Sequence, residues 1–381
     1  MLFVVLAGAL LVGVGLTHMY LYHRLFRAPQ WRPFASRAGA AALLTLAVLM
    51  VVGASAGRWA PRPLAQVLAW VGFTWMGSCF YLLLTAGGWD LFDRGIRRLR
   101  SKSASEPTDP RRREVLRRAA VGAGGAAFGL TALGVRGALS EVEVRDVEVR
   151  VPRLPPALSG LCLVQMSDIH IGPTLGQPFA RALAEQVRTL RPDLVAITGD
   201  LVDGNVPTLF EHVAPLGDLA SRFGTVFVMG NHEYYSGAEA WAGALQRLGV
   251  RVLRNDRLQL GDGGGRVDLV GLEDWSQWRP EALPALRAGA DPEQARIVLA
   301  HQPHSIGVAS ELRADLQISG HTHGGQFFPF SAMVRMTTPY VAGLYRHDAR
   351  TQIYVSRGTG YWGPPLRLLA PAEITRIILV S

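Results

Sequence analysis

Two patterns of apolar residues divide this chain. Over the first 138 residues the apolar positions run together: Leu2–Tyr22 is almost continuously apolar, Ala40–Ala56 and Leu64–Gly87 follow, and Ala119–Gly134 is shorter and rich in glycine. A helix of about 20 apolar residues spans a bilayer. Three transmembrane helices are therefore expected within residues 1–100, and a fourth transmembrane or signal-anchor helix at 119–138. Residues 101–118 read as a linker, because Ser101–Pro110 is small, polar and broken by proline, and a basic cluster follows it.

From residue 142 the runs shorten and the period changes. Val142–Val151 alternates apolar and charged positions, as an edge or half-buried strand does. Apolar runs at Leu161–Met166, Leu194–Thr198, Thr225–Met229, Ile297–Ala300 and Leu316–Ser319 predict strands. Further strands are predicted at Arg251–Arg254, Val267–Val270, Gln352–Val355 and Thr375–Val380. Helical spacing recurs at Pro178–Leu190, Leu209–Ser221 and Ala238–Leu248, and Asp262-Gly263-Gly264-Gly265 reads as a hairpin turn. Strands alternating with helices predict a layered α/β domain over residues 142–381, large enough to bury its own core.

Charge changes the picture in the apolar half. A formal charge of +9 would suggest a nucleic-acid partner in a soluble domain. Here much of it sits in the loops between apolar stretches, where positive charge marks the cytoplasmic side. Arg24, Arg27, Arg32 and Arg37 occupy the first loop, Arg58 and Arg62 the second, and a run from Arg94 to Arg118 the third. Loops one and three are then cytoplasmic and the N-terminus is outside. If the fourth stretch crosses, everything after Arg136 is also outside, which disfavours cytosolic nucleotides as substrates. Arg112-Arg113-Glu114-Val115-Leu116-Arg117 before an apolar run resembles a twin-arginine export signal, with valine where phenylalanine is usual. Cys79 and Cys162 form neither a disulfide framework nor a zinc spacing.

The candidate chemistry sits where the predicted strands stop. Five of them end on polar, ligand-capable residues: Ser167-Asp168, Gly199-Asp200, Gly230-Asn231, His301 and Gly320-His321. In layered sheets, ligands gather beyond the carboxyl ends of the strands. Asp168, His170, Asp200, Asn231, His301, His321 and His323 offer mixed oxygen and nitrogen donors, too many for one tetrahedral ion. They suit two divalent ions sharing a carboxylate, about 3.5–4 Å apart, which can clamp a phosphoryl group. Hard oxygens with imidazole suit manganese, iron or zinc, and the absence of thiolates argues against a structural zinc site.

In order, Asp168-x-His170, Gly199-Asp200-x-x-Asp203, Gly230-Asn231-His232-Glu233, His301 and Gly320-His321-Thr322-His323-Gly324-Gly325-Gln326 resemble the calcineurin-like metallophosphoesterases. The resemblance covers Leu161–Gln326, extends from about Val142, and implies an αββα sandwich preceded here by an all-α transmembrane region. With the apolar N-terminal half and the later Arg357-Gly358-Thr359-Gly360-Tyr361-Trp362-Gly363, it is similar to the bacterial membrane-associated branch, some of whose members are phosphodiesterases with lipid-type substrates. It implies Asp168, His170 and His323 on the first metal, Asn231, His301 and His321 on the second, and Asp200 on both. His232 would assist catalysis, Asp203 and Glu233 would orient ligands, and a metal-bound hydroxide would attack phosphorus. Arg357 and Arg367 are candidate phosphate contacts, since arginine suits phosphate. The expectation is a membrane-tethered phosphodiesterase with a lipid or envelope phosphoester as its partner. A nucleotide or nucleic-acid phosphodiesterase and a metal-binding sensor without turnover are the alternatives.

Overall fold

The computed structural model describes residues 2–99, 110–262 and 264–381. It divides into two compact units, Met1–Arg136 with Gly363–Leu366, and Gly137–Trp362 with Arg367–Ser381.

The N-terminal unit is helical, with helices at Leu2–Tyr22, Pro33–Ser55, Arg62–Leu99 and Pro110–Ala138. Among the described residues, Pro33–Arg58, Arg62–Gly95 and Arg113–Ala138 are long and apolar enough to cross a membrane. The last of these changes the expected boundary. Residues 110–118, read above as linker, form the opening turns of the helix Pro110–Ala138. Proline fits the first helical position, where no intrahelical N–H bond is needed, and the arginine-rich run after it favours helix. Residues 101–109 of that linker lie outside the described residues. Within the helical unit, the Tyr20 hydroxyl donates to Asp90 at 2.9 Å and Arg24 meets the same carboxylate at 2.5 Å.

The second unit is built on two six-stranded sheets. β1 (Glu143–Arg150), β2 (Leu161–Met166), β3 (Leu194–Thr198), β4 (Thr225–Val228), β5 (Arg251–Leu253) and, last in the chain, β12 (Glu373–Val380) form the first, in the order β1-β12-β2-β3-β4-β5. β6 (Asp256–Asp262), β7 (Gly265–Gly271), β8 (Arg296–Leu299), β9 (Leu316–Ser319), β10 (Gly343–Arg346) and β11 (Gln352–Val355) form the second, in the order β10-β11-β9-β8-β7-β6. β2 to β5 run parallel, as do β7, β8, β9 and β11.

Three apolar clusters explain why the strands read as continuous apolar runs. Leu194, Ala196, Val226 and Val228 face inward and meet Ile297, Leu299, Leu316 and Ile318 of the other sheet. Their neighbours Val195, Ile197 and Phe227 face outward beneath the helices Gln177–Thr189 and Ala238–Arg247. On the second sheet Val270, Val298, Ile353 and Val355 turn outward, toward the helix Ile306–Glu311. Both faces of these central strands are buried, so no polar alternation survives in them. Full burial of each such side chain is worth about 1.5–3 kcal/mol. The layers are therefore α, β, β, α. β1 is an edge strand, as its alternating pattern predicts, and β6 opposite β7 confirms a hairpin with Asp262 facing Gly265.

Some elements differ from expectation. The helix read at Leu209–Ser221 spans only Val206–Val213 and then tightens into a single 3₁₀ stretch, Ala214–Asp218. Pro215 lacks the N–H a continuing helix needs. β6, β10 and the helix Phe330–Thr337 were not expected, because each carries too few buried positions to imprint a period.

Candidate metal centre

The carboxyl ends of β2, β3, β4, β8 and β9 meet along one edge of the sandwich. There the five chain segments singled out by sequence come together. Asp168, His170 and His323 place one donor atom each within 4.8 Å of one another, and so do Asp200, His301 and His321. A third group of that kind joins His170, Asp200 and His232. Asp200 thus belongs to two groups, with its Oδ2 3.2 Å from His301 Nε2 and 3.9 Å from both His170 Nε2 and His232 Nε2.

Glycines let the strand ends approach so closely. A Cβ on Gly320 would lie 1.9 Å from Ser167 Oγ and 2.3 Å from Asp168 Oδ2, and one on Gly230 would lie 2.2 Å from Asp200 Oδ1. The backbone N–H of His321 donates to both oxygens of Asp168 at 3.0 Å, and that of His232 donates to Asp200 Oδ1 at 2.9 Å. Five donor residues are held in the left-handed region: Asp168 (φ 52°), His170 (51°), Asp200 (51°), His321 (71°) and His323 (51°). Such backbone costs on the order of 1–3 kcal/mol per residue and gathers where function requires it.

The hydrogen bonds set the histidine tautomers. His301 Nδ1 faces the Thr198 carbonyl at 2.9 Å and donates to it, so Nε2 points toward Asp200 and, at 3.1 Å, His321 Nδ1. His170 Nδ1 donates to Asp203 Oδ1 at 3.0 Å, so its Nε2 faces His323 Nε2 at 3.1 Å. Facing ring nitrogens at that distance have room for one proton between them, or for a cation both could ligate. Asn231 Oδ1 is buried with no hydrogen-bond partner among the described residues. An unsatisfied buried acceptor costs about 1–3 kcal/mol, and a cation would satisfy it. The donor set and this orphaned oxygen fit divalent ions.

Electrostatics divide the cluster. Burial opposes a charge on His170 and His301, yet Asp203 outweighs it for His170, raising it to about 9, and Asp200 does so for His301, raising it to about 10. Burial and the neighbouring His301 push His321 down to about 4, while burial and His170 push His323 well below its usual value. Burial also disfavours the charged form of Asp200, but His301 overcomes it and holds the carboxyl far below the usual range.

Two residues hold the arrangement from behind. Asp203 Oδ1 accepts from His170 Nδ1 and from His232 Nδ1 at 2.6 Å, so one carboxylate orients two imidazoles. Burial opposes its charge, and His170 and His232 together hold it at about 2. Glu233 bonds no ligand side chain. Its carboxylate accepts the backbone N–H groups of Asp200 (2.9 Å), Leu201 (2.8 Å), Val202 (3.3 Å) and Gly230 (2.7 Å), tying the end of β3 to the turn after β4. Burial and then the Asp200 charge push its carboxyl up to about 7.

Residues 163–325 match the family model described as calcineurin-like phosphoesterase. A metallophosphoesterase of Bacillus subtilis, YkuE, is 32% identical over 252 residues, which cover 63% of this chain and 86% of that one. The chain belongs to the calcineurin-like metallophosphoesterases. It is also 40% identical over 265 residues to the Bos taurus transmembrane protein with metallophosphoesterase domain, covering 66% of this chain and 60% of the relative. A Helicobacter pylori metallophosphoesterase is 38% identical over 248 residues, covering 64% of this chain and 65% of its own. The chain thus spans less than two thirds of the length of these last two relatives.

In this metallophosphoesterase the two candidate phosphate-contacting arginines occupy different settings. Arg357 is partly exposed, with its Nε 3.6 Å from Glu373, and its side chain lies against Gly324. Arg367 is 3% exposed. Its guanidinium donates to the carbonyls of His323 (3.0 Å), Arg357 (2.7 Å), Ala370 (3.2 Å) and Gly358 (3.2 Å), and to that of Gly360 through Nε (3.1 Å). The expectation that Arg367 meets a phosphate does not match this geometry, because its donors are turned toward the protein's own backbone. A periodic or motif signal could not separate the two arginines. The Gly358–Trp362 loop packs on the metal centre: the N–H groups of Thr359 and Gly360 donate to the carbonyls of Ser167 and Asp168 at 2.7 and 2.9 Å. Trp362, 55% exposed, and Tyr235, 74% exposed, flank the His232 ring at 5.5 and 5.4 Å between centroids. Sequence reasoning did not single out Tyr235.

Proposed function

We propose that this chain is a membrane-tethered two-metal phosphodiesterase whose substrate is a lipid or another envelope phosphoester. The observation that carries the reading is the carboxylate of Asp200, shared between donor groups on both sides of it. Asp168, His170 and His323 would hold one ion, Asn231, His301 and His321 the other, and Asp200 would serve both. Manganese, iron and zinc all suit such oxygen and imidazole donors. When bound, two divalent ions supply the charge that stabilises the phosphoryl oxygens and activates a water nucleophile.

The rest falls to the protein's own groups. Asp203 accepts from His232 Nδ1, which turns Nε2 toward the centre, where it delivers a proton to the leaving oxygen. The same carboxylate fixes His170. Glu233 keeps the Asp200 backbone in place, and Trp362 and Tyr235 wall the approach to His232. On this reading residues 142–381 form the catalytic domain and residues 1–100 and 119–138 the membrane region, and the arginine distribution supports an extracytoplasmic catalytic domain. The apolar helices support a substrate drawn from the envelope.

The test is hydrolysis of bis-p-nitrophenyl phosphate and p-nitrophenyl phosphate by the full chain in detergent with manganese, beside Asp200→Asn. Cleavage of the diester by the wild type and not by Asp200→Asn supports the reading. No cleavage of either compound with any divalent metal overturns it in favour of a sensor without turnover.

A further inference from the structure

Beside the metal centre lies a surface that the chemistry above leaves unused. The segment after Gln326 folds into the helix Phe330–Thr337, which buries none of its residues. Met333 is 56% exposed and Met336 87%, and Phe328 and Phe330 are 52% and 37% exposed. Spacing of three places Phe330, Met333 and Met336 on neighbouring positions of one side of the helix. Leu369 joins this patch, because Phe327 bridges Leu368 and the Phe328 N–H donates to the Leu368 carbonyl at 3.0 Å. Leu369 is 83% exposed and sits at φ 61°. A leucine both unburied and in left-handed backbone breaks two local rules at once, the kind of conflict that marks a functional surface.

The patch borders an open pocket of about 420 Å³, lined by Gly324, Arg335, Tyr345, Arg357 and Leu369 among others. Gly324 directly follows His323, so one end of the pocket lining is continuous in the chain with the metal centre. Arg335 lies on the same short helix as Met333 and Met336, and Arg357 lines the pocket from another segment. Apolar side chains beside cations match a bilayer surface, where hydrocarbon meets a plane of phosphates. The chain itself brings a bilayer within reach: only residues 139–142 separate the helix Pro110–Ala138 from β1. At no more than about 3.6 Å per residue, that connection is short.

We propose that the Phe328–Thr337 segment and Leu369 form a membrane-docking surface, which seats the pocket at the lipid headgroups so that a phosphoester enters it from the bilayer. The entry of substrate rests on the phosphodiesterase reading; the docking itself does not.

The experiment uses the full chain with Cys79 and Cys162 replaced by serine, reconstituted in vesicles of phosphatidylcholine with a minor share of phosphatidylglycerol. Single cysteines at Met336, Leu369 or Glu293 carry a bimane fluorophore. Glu293 is exposed and precedes β8, at the amino end of the strands and away from the metal edge. Replacing part of the phosphatidylcholine by its 5-doxyl form should quench the probes at 336 and 369 by half or more and leave the probe at 293 unchanged. Equal quenching at all three sites, or none, overturns the proposal. Emission at 336 that shifts with protein-to-lipid ratio and is not quenched also overturns it, showing a second copy on this face. In a second arm, Met333→Glu with Met336→Glu should abolish quenching at 369 and leave turnover of bis-p-nitrophenyl phosphate unchanged. Quenching persists in Asp200→Asn if docking is independent of catalysis, which separates failure of this proposal from failure of the phosphodiesterase reading.

Discussion

Arg367→Met separates a scaffold from a substrate contact. The arginine is buried, and its guanidinium donates to five backbone carbonyls around His323 and the Gly358–Trp362 loop. His323 and Gly358 carbonyls also accept from the N–H groups of Gln326 and Glu373. Those of Arg357, Gly360 and Ala370 show no other hydrogen bond among the described residues. Methionine fills similar space and donates nothing, so three buried carbonyls lose their partner. At about 1–3 kcal/mol each, the loss is roughly 3–9 kcal/mol. Burial lowers the Arg367 pKa to about 10, so removing the charge also removes a desolvation cost. The lower end, about 3 kcal/mol, is therefore expected, which for a domain of this size lowers Tm by roughly 6–12 °C. The assay is thermal unfolding of the full chain in detergent, with kcat and KM for bis-p-nitrophenyl phosphate measured below the transition. KM should hold while kcat falls, because Arg367 also holds the turn that carries His323. A Tm within about 2 °C of wild type together with a raised KM would refute the reasoning and return Arg367 to the substrate.

Three further outcomes follow from the geometry. Asp203→Asn should lower metal affinity or kcat by about 10–100-fold with the fold intact, because one carboxylate orients two imidazoles; metal titration followed by circular dichroism checks both halves. Gly230→Ala should abolish activity and lower Tm, since its Cβ would lie 2.2 Å from Asp200 Oδ1; unfolding and hydrolysis assays on the same preparation decide it. Burial opposes the charge on Asp348, but hydrogen bonds from Thr351 and Ser310 hold its carboxyl below the ordinary value of 3.8. A depressed carboxyl adds stability above its unfolded pKa and loses it as pH falls through the folded one. The advantage of wild type over Asp348→Ala in Tm should thus be complete at neutral pH and fade below about pH 4.

The order of residues alone makes the chain's local chemistry legible. Leu194–Thr198 and Leu316–Ser319 are the strands their apolar runs predict, because both faces of these strands are buried and short apolar runs leave few other choices. The residues that end those runs carry the donor atoms of the centre. What the sequence by itself did not determine was partnership. His170 and His323 stand 153 positions apart, and only the packing of one sheet on the other brings their nitrogens to 3.1 Å. The same packing makes Asp203 the shared partner of two histidines, leaves Asn231 Oδ1 bare, and encloses Arg367 among carbonyls while Arg357 stays partly exposed. It also inserts the last strand, β12, between β1 and β2. Period and residue type act over a few neighbouring positions, so they specify strands, caps and donors. Which donors share an ion-sized space depends on contacts between distant segments, and these exist only once the sheets have closed on each other.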